Sequence, residues 1–262
     1  MAQPMYHQIA DDLRARIESG ELAPSAQLPT ELELRERYDA SRNTIRDAIK
    51  RLTSLGLVET RPGQGTFVVQ KIDPLVTVLT GDTSTTHVLG ESPTYLSEVQ
   101  KSKRTSRETV PRVEIQAPAD EITLRLRVEP GTQVVSRHQE RYIDEIPWSL
   151  QTTFYPMSYV TGGKAPKLLM AEDMAEGTVR YIEKSLGIKQ VGYRDWITAR
   201  TPNANEQAFF RIAHDATVFV IYRAGFDQSE TPMRVTVTVY PADRNQFIVN
   251  VGEVPDPQYD VS

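Results

Sequence analysis

Three cations recur at every fourth position in one short stretch: Arg42, Arg46 and Lys50. At helical spacing they line one side of a helix. Asn43 shares the first turn with Arg42, and Thr44 follows. Cationic groups that reach base edges and phosphates, with an amide beside them, suit a helix laid in the major groove of duplex DNA. Most charge stripes are only solvated helix faces, so this one gains meaning from its neighbours. Over residues 35–61, seven basic residues (Arg35, Arg37, Arg42, Arg46, Lys50, Arg51, Arg61) stand against four acidic ones (Glu36, Asp39, Asp47, Glu59). The local balance is thus +3 in a chain of net charge −5. Any nucleic-acid contact would come from this patch and not from the field of the whole protein.

The elements that would carry the stripe can be read from periodicity. Tyr6, Ile9, Ala10, Leu13 and Ile17 fall on one helical face, with Pro4 before it and Gly20 after it. Thr30 to Glu33 has the pattern of a capping box and announces a short helix to about Tyr38. Ser41 is a good N-cap for a third helix, whose apolar side is Ile45, Ala48, Ile49, Leu52 and Leu55, with Gly56 at its C-cap. Residues 57–60 and 66–69 then flank Arg61-Pro62-Gly63-Gln64-Gly65 and predict a β-hairpin with a glycine-rich tip. Helix, short capped helix, basic helix and hairpin, in that order, make a winged helix-turn-helix.

The whole chain has 262 residues, 39% hydrophobic and 25% charged, a composition expected of a soluble globular protein. Helices and a hairpin first, then strand-rich runs with a few helices, predict the α+β class. No apolar run is long enough to span a bilayer, and the first residues lack a secretory pattern, so the expected compartment is the cytoplasm. The absence of cysteine excludes disulfides, thiolate zinc sites and cysteine nucleophiles. The expected organisation is a DNA-binding domain over 1–70, a linker over 71–92 that includes the polar cluster 81–86, a second domain over 93–252 and a tail over 253–262.

Three stretches in the first domain carry a resemblance. Leu28-Pro29-Thr30-Glu31-Leu32-Glu33-Leu34, Ser41-Arg42-Asn43-Thr44-Ile45-Arg46-Asp47-Ala48 and Gly63-Gln64-Gly65-Thr66-Phe67-Val68 resemble the GntR family of bacterial transcriptional regulators. The resemblance implies that Arg42 and Arg46 contact DNA, that Thr44 assists, and that Gly63 enters the minor groove on the wing. Arg61 and Gln64 are further wing candidates. One position departs from the family: many members have a DNA-contacting arginine where Leu32 stands. Arg35, one turn on, is the expected substitute.

From residue 93 onward the texture changes to Val-, Ile-, Thr- and Tyr-rich runs. The expected elements are a strand at 110–117, a helix at 118–127 and a hairpin of strands 132–143 and 148–155 turning at 144–147. A helix at 173–186 and a strand at 191–200 follow. Then come a helix capped by Thr201-Pro202 and two strands at 217–226 and 233–240. Arg141-Tyr142-Ile143-Asp144-Glu145-Ile146-Pro147 and the stretch from Pro232-Met233-Arg234 to Tyr240-Pro241-Ala242-Asp243-Arg244 are similar to the UTRA domain. That domain marks the HutC subfamily and is itself similar in fold to chorismate lyase.

The UTRA resemblance implies an effector pocket in which Arg141, Gln139, Gln151, Thr178, Arg234 and Tyr240 take part. Gln151 and Arg234 stand where sugar-binding members often have glutamate, which points to a polar or anionic effector. Arg141 and Arg234 have a structural alternative, as partners of Asp144, Asp195, Asp243 or Glu140. Trp148, Tyr155, Tyr193 and Trp196 are expected in the core. The acidic tract 172–176 is expected to reflect a helix N-terminus, so no metal and no cofactor are expected. No catalytic residues are assigned, because the chain has no nucleophile elbow, phosphate loop or His-Glu-x-x-His. The implied protein is a homodimeric repressor on a pseudo-palindromic operator, released by effector. The alternatives are a second domain that only dimerises, or a chorismate lyase-like enzyme.

Overall fold

The computed structural model describes residues 3–61, 63–69, 72–79, 99, 103–174 and 176–251. It divides into two compact units, Met1–Ile72 and Asp73–Ser262. The polar cluster at 81–86 and the tail at 253–262 lie outside the described residues.

The first unit contains α1 (Met5–Glu18), α2 (Glu31–Tyr38), α3 (Arg42–Ser54) and a hairpin of β1 (Val58–Arg61) and β2 (Gly65–Val68). The apolar sides read from the sequence converge. Ile9, Ala10 and Leu13 of α1, Leu34 of α2, and Ile45, Ala48 and Leu52 of α3 form one buried core with Val58 and Val68. Each fully buried Leu or Ile there stabilises by roughly 1.5–3 kcal/mol. The capping box at α2 is formed reciprocally: the Glu33 backbone N–H donates to the Thr30 hydroxyl, and the Thr30 N–H donates to the Glu33 carboxylate at 2.7 Å. Ser41 caps α3 by accepting from the Thr44 N–H at 3.1 Å. Gly56 lies one residue past the C-cap, Leu55, and takes the left-handed conformation with φ +68°.

The second unit is built on a sheet of seven strands among the described residues, in the order β4-β6-β7-β10-β9-β8 with β5 also paired to β6. These are β4 (Ser106–Glu108), β5 (Arg112–Gln116), β6 (Val134–Ile143), β7 (Ile146–Pro156), β8 (Gln190–Arg200), β9 (Val218–Asp227) and β10 (Pro232–Pro241). All the pairings are antiparallel. Among the described residues the helices α4 (Asp120–Leu126), α5 (Thr178–Leu186) and α6 (Ala204–Phe210) accompany the sheet. Three 3₁₀ turns, Met157–Tyr159, Thr161–Gly163 and Pro166–Leu169, lead from β7 toward α5.

Several expectations are corrected. The β6–β7 turn is Asp144-Glu145 alone, both at positive φ (50° and 60°), while Ile146 and Pro147 already belong to β7. A two-residue hairpin of that kind matches the strand twist. Its unfavourable φ values are offset by contacts: Asp144 accepts from the Thr105 N–H and from Arg104, and Glu145 pairs with Arg107. The helix expected from 173 begins at Thr178, so the acidic tract precedes the helix and does not cap it. Asn203, not Thr201, caps α6 in a second capping box with Glu206. Inside the expected linker, Leu75–Val78 forms a strand, β3, paired in parallel with β11 (Asn245–Ile248). β3 is four residues long, too short to show a period against its surroundings.

Candidate nucleic-acid interface and effector face

In the first unit α3 presents its polar side outward. Arg42, Asn43, Arg46 and Lys50 are all exposed, and Arg42 and Arg46 lie one turn apart. One carboxylate bridges them. Glu31, the first residue of α2, accepts from Arg42 Nε at 3.1 Å and from Arg46 Nε at 3.0 Å. Those two bonds, Arg46's first, hold the Glu31 carboxyl below the usual glutamate range. Lys50 is looser, 3.9 Å from Asp47. The Thr44 hydroxyl lies 2.8 Å from that of Ser41, so it is engaged at the cap.

On the wing, Arg61 pairs with Glu59 at 2.5 Å and lies over the Phe67 ring at 4.5 Å. Gly63 has φ +73°, and a Cβ there would meet nothing within 4 Å. Gly65 is the constrained glycine: its φ is +122°, and an added Cβ would come to 2.4 Å from Gln27 Nε2. The Gln27 amide also donates to the Gln64 carbonyl at 2.9 Å, tying the wing tip to the strand-like segment before α2. Arg35 is exposed on α2, and so is Leu32, at 59%. A single exposed aliphatic side chain is ordinary on a protein surface, and Leu32 offers no charge to a phosphate.

In the second unit the strand register gathers the other candidates. Gln139 of β6 is opposite Gln151 of β7, which is opposite Thr238 of β10. One row further, Arg137, Thr153, Thr236, Arg223 and Asp195 run side by side across five strands. By strand alternation Arg141, Arg234 and Tyr240 share this face. It is polar yet largely buried, with Arg141 and Arg234 both 1% exposed. Val135, Tyr155 and Met233 pack at one end with Leu168, Tyr181 and Ile182, so the 3₁₀ turns and α5 cover that end. The opposite face is apolar: Val235 and Ala224 pack with Ile122 and Leu126 of α4.

Each guanidinium on the polar face has a defined environment. Arg141 Nε lies 2.9 Å from Glu108 of the neighbouring strand β4. Arg223 forms a two-pronged pair with Asp195 (2.8 and 2.7 Å) and lies over the Tyr193 ring at 3.9 Å. Arg234 donates to Gln190 at 2.8 Å and to Thr236 at 2.9 Å, and burial pushes its pKa down to about 9. Arg137 donates to the carbonyls of Leu168, Met170 and Glu172. The four acids considered as partners of Arg141 and Arg234 have other contacts: Asp144 with Arg104, Asp195 with Arg223, Asp243 with Arg244, and Glu140 with the Tyr142 hydroxyl. The sequence reading missed Glu108, because its pairing depends on a three-residue strand beyond the reach of periodicity.

Thr178 opens α5 near the buried Tyr155 phenol: burial pushes the phenol's pKa up, and the Thr178 side chain acts against that push. Just before it, a cavity of about 320 Å³ is lined by Lys167, Glu172, Asp173, Met174 and Glu176. Its wall includes the loop that Arg137 holds by its carbonyls. None of the six expected effector residues lines it. Among the described residues no group of three or more His, Asp or Glu is placed to hold a metal, and no helix is long and apolar enough to cross a membrane. Trp148 and Tyr155 are fully buried, whereas Tyr193 and Trp196 are half-buried under arginines.

A three-helix head with a wing, joined to an antiparallel-sheet domain, defines a DNA-binding regulator with an effector domain. The model of the bacterial regulatory proteins of the gntR family matches residues 5–68, and that of the UTRA domain matches residues 101–246. The chain belongs to the GntR family of transcriptional regulators, in its UTRA-bearing, HutC-like branch. It is similar to the regulator GmuR of Bacillus subtilis, 23% identical over 247 residues, covering 93% of this chain and 96% of that protein. It is 25% identical to the repressor NagR of the same organism over 247 residues, covering 94% and 93%. To the mannosyl-D-glycerate transport/metabolism system repressor MngR of Escherichia coli it is 30% identical over 161 residues, 60% of each chain. Among solved structures, PhnF of Mycobacterium smegmatis aligns with TM-score 0.54 at 19% identity, covering 94% of this chain and all of that one. A GntR-family regulator aligns with TM-score 0.57 at 23% identity, covering 96% and 99%. These structures share the fold.

Proposed function

We propose that this regulator is a repressor that binds a pseudo-palindromic operator as a homodimer and is released by a small polar or anionic effector. Two relatives named as repressors support the sign of regulation. The exposed stripe of Arg42, Asn43, Arg46 and Lys50 would enter the major groove, with Thr44 at its cap, while Arg61, Gly63 and Gln64 would follow the minor groove. Arg35 would supply a phosphate contact beside Leu32. Two heads on a two-fold axis would match two half-sites.

The observation that carries the effector reading is the buried polar face. Gln139, Arg141, Gln151, Arg234 and Tyr240 project from one side of three adjacent strands, and Thr178 opens the helix whose Tyr181 and Ile182 pack with Tyr155 at one end of that face. Arg141 and Arg223 face Glu108 and Asp195, whereas Arg137 and Arg234 donate to carbonyls, an amide and a hydroxyl, so positive charge is in excess on that face, which favours a ligand with a carboxylate or phosphate. The name of MngR refers to such an anionic sugar derivative.

A route from this face to the DNA-binding unit also has support. The Tyr240 ring lies 5.3 Å from Phe247 of β11, and β11 holds β3, the first strand after Ile72. Leu75 donates to the Arg244 carbonyl and Leu79 to that of Ile248. A ligand that moves Tyr240 would therefore move the strand from which the chain leads back to the head.

The test begins with selection of bound DNA from a random pool and sedimentation of the complex. Effector affinity is then measured with and without the selected DNA, using a panel of sugar phosphates and sugar acids. Linkage requires the two affinities to differ by the same factor as the DNA affinities. Equal affinities would remove the allosteric claim, and binding of only cationic or apolar compounds would remove the anionic one.

A further inference from the structure

Glu31 is an acid at the centre of a surface whose expected partner is a polyanion. Its carboxylate occupies the Nε edges of Arg42 and Arg46, one oxygen to each. The outer amino pairs of the two guanidiniums are not used in those bonds, and they are the fork that reads guanine in the major groove. Glu31 is itself held in place: it is the first residue of α2, directly after the Thr30 cap. Arg42 is likewise the first residue of α3, after the Ser41 cap. Two helix starts are thus joined through one carboxylate, and two flexible side chains are aimed together.

We propose that Glu31 is the positioning and specificity-setting residue of the DNA interface. It pre-orients Arg42 and Arg46, and its charge weakens attraction to DNA of arbitrary sequence. The inference rests on the reading of α3 as the DNA-contacting helix. Physically, one negative charge against two positive ones lowers the net charge offered to phosphates, the component of affinity that carries no sequence information. Orientation of the forks preserves the component that does. Glu31 therefore costs total affinity and raises the ratio of specific to non-specific binding.

The experiment compares the wild-type chain with Glu31→Gln, Glu31→Asp and Arg42→Ala. The ligands are a duplex selected by the wild type from a random pool and a scrambled duplex of equal length. Dissociation constants are read by fluorescence anisotropy at several salt concentrations. For Glu31→Gln, binding to the scrambled duplex should tighten by about 3- to 10-fold, and the specificity ratio should fall by about tenfold. The slope of log affinity against log salt should steepen by up to about one unit, because one more phosphate can be neutralised. A purely structural role would not move that slope.

Glu31→Asp keeps the charge on a shorter stem, so it should leave scrambled-DNA affinity near wild type while lowering the specificity ratio. Thermal unfolding confirms that each variant is folded. If Arg42→Ala weakens binding to selected DNA while Glu31→Gln leaves both ratio and slope unchanged, the role of Glu31 is refuted and the interface stands. If Arg42→Ala changes neither duplex, the interface reading fails and the proposal fails with it. If Glu31→Asp matches Glu31→Gln on scrambled DNA, the charge argument is overturned.

Discussion

The two units of this regulator place their arginines in opposite ways. In the first, Arg42 and Arg46 stand on the outside of a helix, and their one shared carboxylate is itself a third exposed. In the second, Arg141 and Arg234 lie inside, at 1% exposure, among groups contributed by other strands. The contrast teaches where each cation's energy goes. An exposed pair adds little to folding, about 0–1 kcal/mol, so its groups remain available to a partner. A buried one is tied to stability, because losing either member leaves the other without compensation in a poor solvent for charge.

The largest effect that would sharpen this comparison is on folding. Arg141→Ala should destabilise the protein by about 3–5 kcal/mol, since it leaves Glu108 largely buried without its pair. Urea unfolding reads this, and a change within ~0.5 kcal/mol would break the contrast. Arg42→Ala should do the reverse: unfolding nearly unchanged, but affinity for the selected operator lower by about 1–3 kcal/mol. Equal loss of stability and affinity would mean that α3 is a structural helix.

A smaller effect concerns Glu206, 5% exposed, which joins Arg200 and the α6 cap. Burial alone would push its carboxyl up, but the Arg200 guanidinium and the Asn203 N–H outweigh that, and it sits below the glutamate range. A depressed carboxylate stabilises fully above its unfolded value, about 4.3, and that contribution is lost as pH falls through its folded value. Glu206→Gln should therefore cost about 1–2 kcal/mol at pH 7 and flatten the acid limb of the stability profile. A variant with an unchanged acid limb would show that other carboxylates govern that range. The smallest effect is at the wing. Gly63→Ala has space but a left-handed backbone, so chemical denaturation should register a loss of about 1 kcal/mol. Gly65→Ala should lose somewhat more, because Gln27 must also move aside.

The head was legible residue by residue. Its helices are local, their caps sit three residues from the groups they satisfy, and their apolar stripes repeat every three or four positions. The Thr30 box, the Ser41 cap and the Arg42–Arg46 stripe need nothing distant. Glu31 escaped as a site residue although it lay inside a recognised motif: its partners are 11 and 15 residues away on another helix. In the second unit the long strands were legible, because alternation over ten residues is a strong signal. β3, β4 and β11 were too short, and the hairpin turn was placed correctly but drawn two residues too long, because Pro147 reads as a turn residue and yet lies in β7.

By itself, then, the order of residues determined the helices of the head, the long strands of the second unit and, through its motifs, the family. The elements rest on local periodicity and capping, which act over one or two turns; the family rests on the resemblance of motifs such as Ser41 to Ala48 and Arg141 to Pro147. Tertiary structure decided which charges meet. Glu108 faces Arg141, Asp195 faces Arg223, Gln190 faces Arg234, and Glu31 spans two arginines. The reason is physical: a buried charge is satisfied by whatever the fold brings within about 3 Å, and that distance across strands or between helices has no counterpart in sequence spacing.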